Sequence, residues 1–86
     1  MPEVSIIIVT HNSFSTIRPC LDSIKSQSYK DLEIILIDNN SKDGIGDFLK
    51  SHYPGIRLIE NKENLGFAKA NNQGIFLSKA KYVLTL

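Results

Sequence analysis

Thr10, Asn12, Asp38 and Asn71 are the side chains of this sequence whose types suit a definite chemistry. One carboxylate with hydroxyl and amide groups around it complements a ligand edge that carries a donor between two acceptors. The imide N3–H of uracil or thymine, flanked by two carbonyls, is such an edge. Hydrogen bonds to a charged partner are the stronger kind, about 1.5–3 kcal/mol each. Asp38 ends the apolar run Ile34-Ile35-Leu36-Ile37, and Thr10-His11-Asn12 ends another, Val4 to Val9. A carboxylate where a buried strand meets a turn sits at the carboxyl edge of a sheet, where open α/β folds bind ligands. The competing reading is local: Asp38 caps the polar turn Asn39-Asn40-Ser41-Lys42-Asp43-Gly44, as Asp and Asn commonly do.

Several other chemistries are excluded. The sequence holds no G-x-x-x-x-G-K-[ST] loop for phosphate. Thr10-His11-Asn12 stands where a dinucleotide fold carries G-x-G-x-x-G. No Cys or His pair has metal-ligand spacing. His11 lies near Ser13 and Ser15, but neither serine sits in a G-x-S-x-G turn, which argues against a serine hydrolase.

The elements that must position these residues alternate along the chain. Val4–Val9 reads as a strand, and Phe14, Ile17, Leu21 and Ile24 form one helical stripe. Pro19 is tolerated only near a helix start, so the first turn is expected around Ser15 to Arg18, with the helix fading through Ser26-Gln27-Ser28. A central strand begins near Leu32. Ser41 and Asp43 are N-cap candidates for a second helix carrying Ile45, Phe48, Leu49 and His52 on one face, with His52 a partly covered surface residue. Ile56–Ile59 is a third strand. Leu65 onward turns helical, with Phe67, Ala70, Asn71 and Gly74 along one side, and Tyr82–Leu86 is a fourth strand. Strand–helix repetition of this kind implies a three-layer α/β/α fold with a parallel sheet, expected in the order 3-2-1-4. All the polar loops after the strands then converge on one edge.

Eighty-six residues make one small domain, which buries roughly 60–65% of its unfolded surface. A net charge of +1 gives no electrostatic reason to expect a nucleic-acid partner. One cysteine, Cys20, forms no internal disulfide, no apolar run reaches membrane-spanning length, and Met1-Pro2-Glu3 lacks a signal-peptide pattern. The expected compartment is the cytoplasm, with membrane association left open for a complete protein. The last apolar strand has no further element to cover it. The chain is therefore expected to be a piece of a longer domain, prone to self-association through the edge of strand 82–86.

Three stretches carry a family resemblance: Val4-Ser5-Ile6-Ile7-Ile8-Val9-Thr10-His11-Asn12-Ser13, Ile37-Asp38-Asn39-Asn40-Ser41-Lys42-Asp43-Gly44, and Asn64-Leu65-Gly66-Phe67-Ala68-Lys69-Ala70-Asn71-Asn72-Gln73-Gly74. In that order they resemble the motifs of family 2 glycosyltransferases. The resemblance implies the GT-A fold and transfer of a sugar, with inversion, from a nucleotide-sugar donor to a glycan or lipid-linked acceptor. It places Thr10 and Asn12 along the base and ribose and gives Asp38 the base N3–H. The loop from Asn64 to Asn72 closes over the base and neighbouring phosphates. The nucleotide-binding residues so implied are Thr10, His11, Asn12, Asp38, Asn39, Asn64, Gly66 and Asn71.

Asn71 stands where the commonest form of the third motif carries Arg. The Gly-Phe-Ala-Lys-Ala-Asn-Asn variant resembles the branch containing rhamnosyltransferases, which implies a dTDP- or UDP-linked donor. Members also carry an Asp-x-Asp-type motif after the fourth strand, for a divalent metal (Mg²⁺ or Mn²⁺) and the diphosphate, and their general base comes later still. Neither falls within residues 1–86. The expectation is therefore the nucleotide-binding half of a glycosyltransferase, not catalytic alone, with its metal ligands outside this chain. Two other classes compete with it. One is a non-catalytic nucleotide-binding or regulatory module. The other is a flavodoxin-like receiver using Asp38 as phosphoacceptor, which wants further acidic residues at the end of the first strand, and Thr10-His11-Asn12 supplies none.

Overall fold

Alternation along two strands decides the layering. In the computed structural model, which describes residues 3–25 and 31–86, β1 (Val4–Thr10) and β2 (Leu32–Asp38) are parallel neighbours in register from Val4↔Leu32 to Thr10↔Asp38. Ile6, Ile8 and Leu36 turn to one face and pack on Ile17 and Leu21 of α1 (Phe14–Lys25) and Ile45 and Leu49 of α2 (Ile45–His52). Ile7, Ile35 and Ile37 turn to the other and meet Ala70 of α3 (Phe67–Leu77). Burying each such aliphatic side chain is worth about 1.5–3 kcal/mol. Strands covered on both faces read as continuous apolar runs, as these two do.

β3 (Arg57–Glu60) pairs with β2 and β4 (Tyr82–Thr85) with β1, so the sheet is β3-β2-β1-β4, all parallel, the order expected. The helices lie on both faces. Leu86 continues the ladder, its N–H donating to the Ile7 carbonyl at 3.0 Å. Among the described residues no helix is long and apolar enough to cross a membrane.

The two sheet edges differ. β3 shows charged Arg57 and Glu60 to solvent, and Lys50 Nζ lies 3.0 Å from Glu60 Oε1. Charged edges resist further pairing. β4 instead exposes Tyr82, Val83 and Leu84. Near the start of β1, buried Ser5 donates to Glu33 Oε2 and accepts from Ser78 Oγ, both at 2.7 Å, which pins the C-terminal end of α3 to the strands.

Four expectations need correction. α1 begins at Phe14, so Pro19 falls in the second turn rather than at the start. There it removes the bond that would reach the Ser15 carbonyl, a cost lowered because Ser15 is exposed to water. Ser41 does not cap α2; Gly44, in a left-handed conformation at φ 83°, takes the N-cap position, while Asp43 Oδ1 accepts the Ile45 N–H at 3.3 Å. Phe67 is not on the buried side of α3: it is the helix's first residue, next to Gly66, and remains 63% exposed. The third strand is shifted by one residue, to Arg57–Glu60. The expected fading of α1 through Ser26-Gln27-Ser28 lies outside the described residues. His52 is exposed and stacks on Phe48, ring centroids 4.4 Å apart, as a partly covered surface residue would.

α3 sits on the sheet through Gly74. A Cβ there would stand 2.5 Å from Ile7 Cγ2 and 3.1 Å from Cδ1 and Cγ1. Ile7 is β-branched and fully buried, so it has little room to give. Gly74→Ala should gain about 1 kcal/mol of helix propensity but lose about 1–3 kcal/mol to overpacking. A net destabilisation is expected in denaturant unfolding of the full-length protein; a more stable variant would show that Ile7 rotates aside.

Candidate functional site

The parallel register aligns the ends of three strands, with Thr10 opposite Asp38 and Asp38 opposite Glu60. Thr10 and Asp38 follow Ile8 and Leu36 on the α1/α2 face, and both are buried, 2% and 4% exposed. Asn39, the next residue, is 2% exposed and bonds toward the loop that leads into α3.

The loops after β1 and β2 are knotted together. Asn39 N–H donates to the Thr10 carbonyl at 2.8 Å, and His11 Nδ1–H donates to the Asn39 carbonyl at 2.7 Å. A carbonyl partner fixes the His11 proton on Nδ1 and leaves Nε2, 3.4 Å from Asn12 Nδ2, as an acceptor when the ring is neutral. Asn12 takes a left-handed conformation at φ 50°. Its N–H donates to Ser41 Oγ at 2.8 Å, and its Oδ1 accepts the Lys42 N–H at 2.7 Å. Asp38 Oδ1 accepts the Ser41 N–H at 3.1 Å. The local reading of Asp38 is therefore present in the fold: it does cap its turn, through one carboxylate oxygen. Asp43 Oδ2 reaches across to the Phe14 N–H at 2.9 Å and caps the start of α1.

Asn39 ties this knot to the loop after β3. Its Nδ2 donates to the Gly66 carbonyl at 3.2 Å, and its Oδ1 accepts from Asn61 Nδ2 at 2.9 Å and from the Leu65 N–H at 3.4 Å. Asn64 Oδ1 accepts the Gly66 N–H at 2.9 Å, closing a small turn at Gly66, where φ is 85°.

Of the residues implied by the family resemblance, Thr10, His11, Asn12, Asp38 and Asn39 thus gather at one corner. Asn64 and Gly66 join them through Asn39. Asn71 comes from the opposite side, buried in α3 at 8% exposure, and no described bond links it to the others. Among the described residues, Thr10 Oγ1 and Asn71 Oδ1 are buried polar atoms with no hydrogen-bond partner. Such a group is unfavourable by about 1–3 kcal/mol until something bonds it. A cavity of about 380 Å³, lined by Asn12, Phe14, Ser15, Arg18 and Asp43, opens beside the knot.

Sequence reasoning gave no role to Asn61 or Gln73. The signal was available: Asn61 is the first residue after β3, as Asn39 is after β2, and the Asp38↔Glu60 register sets those positions side by side. Asp43 was read as a cap, but for α2 alone.

Chemically the corner offers the Asp38 carboxylate with hydroxyls and amides at the carboxyl edge of a parallel sheet, and the Asp43 carboxylate engaged with two backbone N–H groups beside it, a set that matches a neutral polar ligand edge. It does not match a metal ion: among the described residues no three His, Cys, Asp or Glu side chains cluster to hold one. Because Asp43 satisfies N–H groups at the starts of two helices, Asp43→Ala should destabilise the full-length protein by about 1–2 kcal/mol. Thermal unfolding checks this; an unchanged midpoint would show that water replaces both bonds without loss.

The comparisons with known proteins agree with this architecture. Glycosyltransferase YibD of Escherichia coli, uncharacterised, is 34% identical over 84 residues, covering 94% of this chain and 24% of that protein. The Escherichia coli UDP-Glc:alpha-D-GlcNAc-diphosphoundecaprenol beta-1,3-glucosyltransferase WfaP is 37% identical over 87 residues, covering all of this chain and 35% of that protein. The chain thus spans about a quarter to a third of these relatives. Among solved structures, the mannosyltransferase PcManGT of Pyrobaculum calidifontis, in complex with GDP-Man and Mn²⁺, superposes with a TM-score of 0.79 at 29% identity, over 91% of this chain and 25% of that one. TarS of Staphylococcus aureus superposes with a TM-score of 0.88 over the whole chain and 27% of its own; at 22% identity it speaks for the fold alone, the GT-A fold. The family described as Glycosyl transferase family 2 matches residues 5–86, and the chain belongs to it.

Proposed function

We propose that this chain is the donor-nucleotide-binding part of an inverting glycosyltransferase that uses a dTDP- or UDP-linked sugar, rhamnose being the sugar its third motif favours. The observation that carries the reading is the Thr10–Asp38 pair: a buried carboxylate beside a buried, unpartnered hydroxyl at the C-terminal edge of two central parallel strands. Asp38 Oδ1 is engaged by Ser41, so Oδ2 takes the base N3–H. Thr10 and Asn12 lie along the base and ribose, His11 stands beside them, and the Asn64–Gly66 turn, anchored by Asn39, covers the base and the first phosphate. Asn71 supplies a further amide from α3. The buried floor keeps water from the Asp38 bond, which strengthens it.

In the complete protein the acceptor hydroxyl attacks the anomeric carbon. Its oxygen–carbon bond forms as the bond to the nucleoside diphosphate breaks, the configuration inverts, and the hydroxyl proton passes to a base outside residues 1–86. A saccharide or lipid-linked glycan is the proposed acceptor; WfaP, by its name, uses UDP-Glc and a diphosphoundecaprenol-linked sugar. A divalent metal, if this protein uses one as the PcManGT complex holds Mn²⁺, supplies charge for the diphosphate; the described residues offer it no site, so it is proposed to be held elsewhere. The unpaired apolar edge of β4 is proposed to drive self-association of the 86-residue piece on its own. A monodisperse monomer in light scattering would reject that.

A second reading concerns the base. The PcManGT complex contains GDP-Man, and a carboxylate can accept from guanine N1–H and N2–H as well as from the pyrimidine imide. Calorimetric titration of the full-length protein with UDP, dTDP, GDP and ADP decides. UDP and dTDP should bind most tightly, and Asp38→Ala should weaken them about tenfold to a hundredfold while flattening the preference. Tightest binding of GDP would select the second reading. Equal binding of all four by the wild type, or a preference unchanged in Asp38→Ala, would overturn the role of Asp38.

A further inference from the structure

Asn61 and Gln73 form a reciprocal amide pair. Asn61 Nδ2 donates to Gln73 Oε1 at 2.8 Å, and Gln73 Nε2 returns a bond to Asn61 Oδ1 at 2.9 Å. The second Asn61 N–H reaches Asn39 Oδ1 at 2.9 Å, and the Asn61 backbone N–H donates to the Asp38 carbonyl at 2.9 Å. Both hydrogens of the Asn61 amide and its oxygen are therefore in use, and all three residues are at least partly buried. The pair closes the segment Lys62–Gly66 into a loop fastened at both ends: to β2 through Asn39, and to the second turn of α3 through Gln73. Inside that loop the side chains of Lys62, Glu63 and Asn64 are exposed, so packing does little to hold it.

Extending the nucleotide reading above, we propose that Asn61, with Gln73, is a positioning residue of the donor site. It fixes the 62–66 loop in its nucleotide-covering conformation before the nucleotide arrives, without touching it. Asn61 suits the role because one small side chain must present two donors and one acceptor at once. A carboxylate of the same shape has no donor and would face the oxygens of Asn39 and Gln73, so Asn61→Asp opposes three acceptors in one partly buried spot. Gln73→Glu is milder: its carboxylate still accepts from Asn61, and one of the two bonds of the pair survives. A loop ordered in advance spares the ligand the entropy of ordering it, so the variants should lose affinity in that order.

The test uses the full-length protein and two readouts. Hydrogen exchange without ligand should rise at amides 62–66 in Asn61→Asp, less in Gln73→Glu, with the rest of the sheet unchanged. Calorimetry with UDP and dTDP should show about a tenfold loss for Asn61→Asp and a smaller one for Gln73→Glu. The control is Leu49→Ala, a buried residue of α2 remote from this loop, which destabilises by making a cavity but should leave nucleotide affinity within twofold at temperatures where it is folded. Unchanged exchange at 62–66 in Asn61→Asp overturns the proposal, as does raised exchange with unchanged affinity. An affinity loss no greater than that of Leu49→Ala also overturns it, reducing Asn61 to general stability. A wild type that binds none of the nucleotides rejects the nucleotide reading instead; the exchange measurement then still decides whether Asn61 and Gln73 fix the loop.

Discussion

β1 and β2 must be apolar on both faces, and the rest of the molecule answers to that constraint. Ile6 and Ile8 need α1 and α2 above them, and Ile7, Ile35 and Ile37 need α3 below. A polar side chain inside such a strand has no water to bond, so it must find protein partners or be absent. Ser5 is the exception that shows the cost: fully buried, it takes Glu33 on one side and Ser78 on the other. Everywhere else the polar groups are driven to the strand ends. Because the strands are parallel, those ends coincide. Thr10, Asp38 and Glu60 stand in one row for no reason of chemistry beyond the register, and the loops that follow have nowhere else to meet.

The crowding of loops at that row explains their asparagines. An amide side chain carries donors and an acceptor, and Asn tolerates a left-handed backbone better than most residues. Asn12 and Asn40 use the second property, at φ 50° and 64°. Asn39 and Asn61 use the first while buried or half-buried, Asn39 bonding the Gly66 carbonyl and Leu65 N–H and Asn61 bonding the side chains of Asn39 and Gln73. Acidic residues could accept but not donate, and lysines the reverse. The corner is thus held by short-ranged, directional bonds of neutral amides together with backbone N–H groups that donate to the Asp38 and Asp43 carboxylates, and no ion pair takes part in them.

Much of this was legible in the sequence, and what was not has a common cause. Apolar runs bounded by polar turns located all four strands, and the three-and-four spacing of Ile17 and Leu21 located α1, because burial follows period. Alternation with crossover helices implied a parallel sheet, and the order 3-2-1-4 followed from a chain that starts in the centre, works outwards and then crosses back. The misses were questions of contact between distant segments. Period could not tell that Asp43 would cap α1 across 29 positions of sequence, or that Asn61 would meet Asn39 and Gln73. Pro19 shows the opposite error, a local rule trusted too far: an exposed second turn tolerates a missing bond that a buried one would not. Phe67 was placed by helical spacing alone, which cannot tell where the sheet beneath a helix begins.

The buried edge also bears on why a ligand should be held there at all. Asp38 is almost wholly removed from water, and its Oδ1 is held by a single backbone N–H from Ser41. Thr10 beside it keeps a hydroxyl oxygen with no partner, and Asn71 keeps an amide oxygen likewise. Thr10 Oγ1 and Asn71 Oδ1 are each less well bonded than they would be in water. A donor supplied to any of them by a ligand therefore recovers an interaction that folding gave up, instead of merely exchanging one water bond for another. The polar groups of Asn39, Asn61 and Gln73 are by contrast engaged with one another, and they gain nothing by opening. The corner so divides into a frame of mutually bonded amides and the under-bonded Thr10 hydroxyl beside Asp38, with the Asn71 amide oxygen under-bonded on the α3 side. A site of this kind discriminates by the pattern of donors it is offered, because an ill-matched ligand leaves those atoms as poorly bonded as before.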